Sequence, residues 1–166
     1  MACGGASNSA PLPALPAAAA PKLSVETHRV DADALAADTG RKLPLAAKLE
    51  AWGFERGVER VFQGHSRGFD RIVSRTLEFA DGHGGSAYVR YLAAHVEVLF
   101  GAGSTARPLT SRGRTGFLLD AASCACHRAE PTLAAVLGRG RRVTYLEVNG
   151  GGATPAALRA LLAQAP

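Results

Sequence analysis

Residues 69–79 read FDRIVSRTLEF, and in this stretch apolar and polar side chains follow one another in turn. The apolar set is Phe69, Val73, Leu77 and Phe79, and the polar set is Asp70, Ser74, Thr76 and Glu78. Successive side chains of a strand point to opposite faces of its sheet. The pattern therefore predicts an antiparallel strand that is half-buried, with one face against a core and the other in solvent.

Helices and further strands are predicted on both sides of this strand. The predicted order is a helical segment at 31–53, strands at 58–63 and 69–79, a helix at 87–100, strands at 107–111, 116–123, 132–137 and 142–148, and a helix after Thr154. The predicted N-caps are Asp31 or Asp33, Ser86 and Thr154. This order favours an α+β fold, with a mainly antiparallel sheet of about six strands and helices packed on it in an α/β/α sandwich-like arrangement.

Length and composition are typical of one folded domain. The chain has 166 residues, of which 47% are apolar and 20% are charged. Residues 2–22 contain eight Ala and four Pro, and proline both removes backbone donors and favours extended backbone. We therefore predict a disordered Ala/Pro-rich tether at residues 1–30 and a single α+β domain at residues 31–166.

The distribution of the basic residues along the chain argues against binding to nucleic acid. The chain has 19 Lys and Arg against 14 Asp and Glu, and its isoelectric point is near 9.6. The arginines are spread out, with loose groups at 107–114 and 139–142, and no ladder of aromatic residues lies among them. Acidic lipid headgroups or an anionic cell-wall polymer remain possible partners of such a chain.

The N-terminal residues Met1-Ala2-Cys3-Gly4-Gly5-Ala6-Ser7 carry a family resemblance. They resemble the region around the lipidated cysteine of bacterial lipoproteins, where a small residue precedes the cysteine and a flexible Gly/Ser/Ala/Pro stretch follows it. The resemblance implies a palmitate-bearing Cys3 and a domain exported to the extracytoplasmic face of the cell membrane. Only Met1 precedes Ala2 here, so this expectation requires a signal segment upstream.

The order of elements from about residue 40 resembles a second family. It is similar to the Mog1/PsbP-like sheet-and-helix sandwich, a fold found in some actinobacterial lipoproteins. The resemblance rests on element order and size, and it implies a fold without implying an activity.

Two cysteines and a histidine form the most unusual local motif, Cys124-Ala125-Cys126-His127. Thiols and imidazole are ligands of zinc and copper, so a metal or thiol-redox site is one interpretation. An oxidising compartment would favour a Cys124–Cys126 disulfide, and two inert thiols are the third interpretation. The sequence leaves all three open.

Two further positions have structural interpretations. Asp120 lies within an apolar run, so it needs a partner if it is buried, and we predict an ion pair with Arg75 on a neighbouring strand. His95 interrupts the apolar stripe of the helix at 87–100, and we expect one hydrogen bond to satisfy it.

No catalytic constellation stands out in the sequence. We therefore predict a non-enzymatic, exported and membrane-tethered binding or interaction domain, monomeric and without a cofactor, whose partner is a protein, a lipid or a cell-wall component. The alternative function is a metal-handling or thiol-redox protein that uses Cys124, Cys126 and His127.

Overall fold

A computed structural model describes residues 10–38, 43–66, 68–120 and 132–166. Its elements in chain order are β1 (Ser24–Val30), α1 (Ala32–Asp38), α2 (Leu45–Ala51), β2 (Phe54–Ser66), β3 (Phe69–Phe79), α3 (Gly82–Ala94), α4 (Val96–Phe100), β4 (Thr105–Ser111), β5 (Arg114–Asp120), β6 (Thr132–Arg139), β7 (Arg142–Asn149) and α5 (Pro155–Leu162). Among these described elements, no helix has the length and apolar character that crossing a bilayer demands.

The seven strands form one sheet in the order β1-β2-β3-β7-β6-β5-β4, and every neighbouring pair is antiparallel. The α+β class predicted from the sequence is confirmed, but the sheet has seven strands instead of six. The additional strand is β1. It was missed because it is an edge strand with mostly exposed side chains, so it lacks the apolar alternation that marks a half-buried strand.

Both faces of the sheet are covered. The front face packs against α1–α4 around a core that includes Leu77, Phe79 and Val143. The back face packs against α5 and residues 10–23 around a core that includes Ile72 and Leu146. A sheet that is covered on both faces removes more apolar area from water than a sheet that is covered on one face. This arrangement suits a chain that is rich in small apolar residues.

The polar face of β3 is therefore buried. Ser74, Thr76 and Glu78 are each at most 3% exposed, because the back face is covered at this position. The sequence-based prediction of a half-buried strand was wrong in this respect, although its bounds, Phe69–Phe79, are confirmed.

The predicted tether boundary at residue 30 is also wrong. Leu15 is fully buried and Leu23 nearly so, and β1 pairs with β2 along its whole length. A guanidinium N–H of Arg60 donates to the carbonyl oxygen of Leu15 at 2.7 Å. Residues 10–30 thus belong to the fold, because two isolated leucines anchor an otherwise linker-like composition.

Helix ends follow ordinary capping chemistry. Asp31 caps α1 through the amide of Ala34, and Thr154 caps α5 through the amide of Ala157, as predicted. The helix predicted at 87–100 differs, since α3 starts five residues earlier behind Asp81 and stops before His95. The Nδ1 of His95 donates to the carbonyl oxygen of Tyr91 at 2.8 Å, which provides the single hydrogen bond expected of it.

Candidate functional site

One row of side chains across the back face is unusually basic. The positions Arg56, Glu78, Arg142 and Arg139 are consecutive cross-strand partners on β2, β3, β7 and β6. Arg114, at the start of β5, continues the row beside Arg139, one residue beyond the Thr115–Gly138 pair. We call these five positions the arginine rung. Like charges on directly opposite residues destabilise a sheet, so three neighbouring arginines require a reason.

The rung lies in a groove of about 770 Å³. We call it the arginine groove. Among the described residues that line it are six arginines and one acid, Glu78, and the arginines are Arg56, Arg112, Arg114, Arg139, Arg141 and Arg142. The hydroxyl residues Thr76 and Thr144 also line it, and Ala165 and Pro166 after α5 form a further part of its wall. The groove therefore carries a strong excess of positive charge.

Glu78 organises one end of the groove. Its carboxylate accepts from the Nε and Nη2 of Arg56 at 2.7 Å, and it lies 3.3 Å from the Nε of Arg142 and 3.4 Å from the Nε of Arg141. Burial alone would raise the pKa of Glu78, but the hydrogen bonds from Arg56 and Arg142 and the charges of Arg56 and Arg141 outweigh it and hold the pKa below its usual value.

This pKa shift has a consequence for stability. A carboxyl group whose pKa is lower in the folded state stabilises the fold above its unfolded pKa and loses that contribution as the pH falls through its folded pKa. The variant E78Q should therefore be less stable than the parent chain by about 1–2 kcal/mol at neutral pH, a figure that allows for the half-exposed arginines. Urea unfolding from about pH 7 to about pH 3 should show the difference shrinking towards acid. An unchanged difference across that range contradicts the role given to Glu78.

Arg114 is held by the end of the chain that follows α5. Its guanidinium donates to the carbonyl oxygens of Leu162 at 2.7 Å, Ala165 at 3.2 Å and Pro166 at 2.5 Å. Burial lowers the pKa of this guanidinium, and the positive charges of Arg112 and Arg139 lower it further. These three hydrogen bonds fix the orientation of the Arg114 guanidinium.

Arg112 and Arg139 have no ion-pair partner in the part of the chain that the structure describes. Arg112 lies in the β4–β5 turn with φ +52°, and it is the single non-glycine residue with positive φ among the described residues. A left-handed backbone is disfavoured for arginine, and Asn or Gly would fit this turn better. The arginine at this position thus adds charge at some expense of local stability, which is a pattern associated with function.

A buried hydroxyl on the groove floor is also unpaired. The Oγ1 of Thr76 has no hydrogen-bond partner among the residues that the structure describes, although Thr76 is only 2% exposed. Unsatisfied buried polar atoms are rare in folded proteins because each one loses its hydration without compensation. An anion or its water shell in the groove would supply the missing acceptor.

A second charged cluster lies on the front face. Arg75 forms ion pairs with Asp38 of α1 and Glu59 of β2, and its guanidinium lies 5.3 Å from the ring centroid of Tyr145. Burial alone would lower the pKa of Arg75, but Glu59 and Asp38 offset this and raise it. A cavity of about 290 Å³ adjoins this cluster, whose charges are already paired. We assign the cluster of Arg75, Asp38 and Glu59 a structural role, which is to fix α1 to the sheet.

The predicted Asp120–Arg75 ion pair is therefore not formed. Arg75 lies on β3 and Asp120 on β5, and β7 and β6 separate these strands. Three strand spacings place the two backbones about 14 Å apart. Asp120 is exposed, so it does not need a buried partner.

The remaining predicted site residues, Cys3, Cys124, Cys126 and His127, lie outside the described residues. The lipid, disulfide, metal and redox hypotheses for them stay predictions. Within the described residues, no group of three or more His, Cys, Asp or Glu side chains converges as a metal site would require.

No protein-family model matches the chain, and a search of curated proteins finds no similar sequence.

The two groups of arginines are visible in the sequence, but the sequence does not predict that they form one groove. The loose groups at 107–114 and 139–142 were visible, and the register of β5, β6 and β7 brings all of them except Arg107 together. The signal that could have found the site is the pair of short hairpin turns, SRGR at 111–114 and RGRR at 139–142, which both carry arginines at a strand end.

Proposed function

We propose that this chain is a non-enzymatic binding domain, exported and tethered at a membrane, which holds an anionic ligand in the arginine groove. The observation that carries the proposal is the charge of Arg112 and Arg139, which no described residue pairs, beside the oriented Arg114. Such an arrangement is unfavourable in the empty protein and becomes favourable when an anion occupies it.

The residue types favour a phosphoryl or sulfate group over a metal or a neutral ligand. Guanidinium groups present fixed forks of N–H donors that match tetrahedral oxyanions, and they stay protonated at any physiological pH. For the same reason they are poor proton-transfer groups, which supports binding over catalysis. The hydroxyl group of Thr76 can add a neutral hydrogen bond at the floor, whereas that of Thr144 already donates to the oxygen of Pro166 at 2.9 Å.

Calorimetric titration of the purified chain with inorganic pyrophosphate tests the anion-binding proposal. We expect saturable binding with one ligand per chain, and we expect it to weaken as sodium chloride is added, because salt screens charges at an open groove. No saturable binding up to millimolar pyrophosphate would overturn the proposal.

The membrane tether is proposed from the residues around Cys3 and has its own test. Expressed in a bacterial host with its natural upstream gene region, the protein should fractionate with membranes, and the peptide that contains Cys3 should carry the mass of attached acyl chains. The variant C3S should lose both properties. An unmodified Cys3 in the exported protein, or membrane fractionation that persists in C3S, contradicts the tether while leaving the groove proposal intact.

A further inference from the structure

We infer that the anion in the groove is a linear chain of several phosphoryl groups that lies across the strands, along the arginine rung. This inference rests on the proposed anion-binding function and specifies its ligand. It is supported by the spacing of the arginines, by the location of the free charge and by the residue types that line the groove.

The rung is too long for one small anion. It runs over five neighbouring strands, from Arg56 on β2 to Arg114 on β5, which is about 19 Å at the usual strand spacing. A single phosphate bridges at most two or three guanidinium groups, so it could not span the rung from Arg114 to Arg56. A chain with repeated charges can meet each arginine in turn.

The free charge is concentrated on the side of the rung away from Glu78. Glu78 binds Arg56 and Arg142, whereas Arg139 and Arg112 have no anionic partner within the described residues. The three rung positions on β7, β6 and β5 extend over roughly 10 Å, and the turn residue Arg112 lines the same groove. The minimum ligand therefore has at least two phosphoryl groups that contact different strands.

The lining also distinguishes between kinds of polyanion. None of the described lining residues is aromatic, so the groove has no surface on which bases could stack. Single-stranded nucleic acid would be held through its backbone alone, and its bases would lie unsupported. A phosphate polymer without bases, such as polyphosphate or a phosphodiester cell-wall polymer, fits the groove better.

The test compares orthophosphate, pyrophosphate, tripolyphosphate and long-chain inorganic polyphosphate with the full chain at one salt concentration. A longer chain offers more overlapping binding positions, which raises apparent affinity only in proportion to its length. We expect tripolyphosphate to bind at least about ten-fold more tightly than pyrophosphate. The affinity of long-chain polyphosphate, divided by its number of overlapping binding positions, should be higher still.

The salt dependence gives an independent readout. The slope of log affinity against log salt should be steeper for long-chain polyphosphate than for pyrophosphate, because more phosphates are neutralised. R139Q, in the middle of the three rung positions on β7, β6 and β5, should lower that slope by about one. R90Q removes an exposed arginine from α3 on the front face, and it should leave the slope unchanged.

Three results would overturn the inference while leaving anion binding intact. They are a pyrophosphate affinity equal to that for the longer chains, an equal affinity for the compact polyanion inositol hexakisphosphate, and tighter binding of single-stranded DNA than of polyphosphate. Failure of every phosphate to bind would instead overturn the proposed function itself.

Discussion

The double variant R112Q/R139Q should bind pyrophosphate about 100-fold more weakly than the parent chain while remaining fully folded. Each lost charge-assisted hydrogen bond is worth about 1.5–3 kcal/mol, and one such contact from each arginine, taken at the lower end of that range, gives this factor. Neither arginine has an ion-pair partner among the described residues, so their replacement leaves no buried charge uncompensated. Calorimetric titration measures the affinity, and urea unfolding measures the stability of the same preparations.

Stability should even rise slightly in the double variant. Both arginines lower the pKa of Arg114, which means that they repel its charge in the folded state. The single variant R112N separates the two effects most clearly, because Asn tolerates a positive φ better than Arg. We expect R112N to be more stable by about 0.5–1 kcal/mol and to bind pyrophosphate less tightly.

R90Q/R159Q is the matched control for the double variant, since it also removes two positive charges, from the exposed sides of α3 and α5. Its affinity for pyrophosphate should equal that of the parent chain. If R90Q/R159Q and R112Q/R139Q weaken binding equally, the effect comes from net charge alone, and the groove has no special role.

The variant G116A should lose at least about 3 kcal/mol of stability, the largest effect that we expect from a single methyl group in this chain. A Cβ at Gly116 would lie 1.9 Å from the carbonyl oxygen of Val136 and 2.9 Å from its carbonyl carbon. Both are backbone atoms of β6, so no side-chain rotation can relieve the overlap. Gly116 permits the close approach of β5 to β6 that sets Arg114 beside Arg139.

Thermal unfolding followed by circular dichroism tests this expectation. For a chain of this size, a loss of about 3 kcal/mol lowers the melting temperature by roughly 6–12 °C. G151A is the matched control, because a Cβ there meets nothing within 4 Å, and we expect a change within about 0.5 kcal/mol. A melting temperature for G116A within about 2 °C of the parent chain would mean that β5 and β6 are not packed as described.

Local sequence patterns predicted most of the strands. They failed for the features that depend on contacts between residues far apart in the chain. The bounds of β3 followed from its alternation, and β6 and β7 were placed within two residues of their observed ends, because strand propensity and turn residues act locally. Strand β1 was missed because its partner β2 lies about 30 residues away and supplies the contacts that hold it.

Burial of the polar face of β3 could not be predicted from the strand itself. Thr76 and Glu78 have polar side chains, and polar residues on alternate positions usually indicate a solvated face. They are buried because Ala165, Pro166 and the arginines of four other strands line the groove over them. The same long-range packing explains why the Asp120–Arg75 pair was expected and is not formed, since sequence alone does not order the strands within a sheet.

The arginine groove is a product of that strand order. Arg114 and Arg139 are 25 positions apart in the chain, and Arg56 and Arg142 are 86 positions apart. They share one row only because β7 inserts between β3 and β6. Charge counting detected the excess of arginine, but a spread of arginines along a sequence looks the same whether or not the fold collects them on one face.

The most direct test of the central claim follows the arginine Nε–H signals by nuclear magnetic resonance while pyrophosphate is added. We expect saturable shifts for Arg112, Arg139 and Arg114, together with the backbone amide of Thr76, at one common ligand concentration. The signals of Arg90 and Arg159, which lie on the exposed sides of α3 and α5, should not move. Uniform small shifts of all arginines, or none in the groove, would contradict the claim that this groove binds an anion.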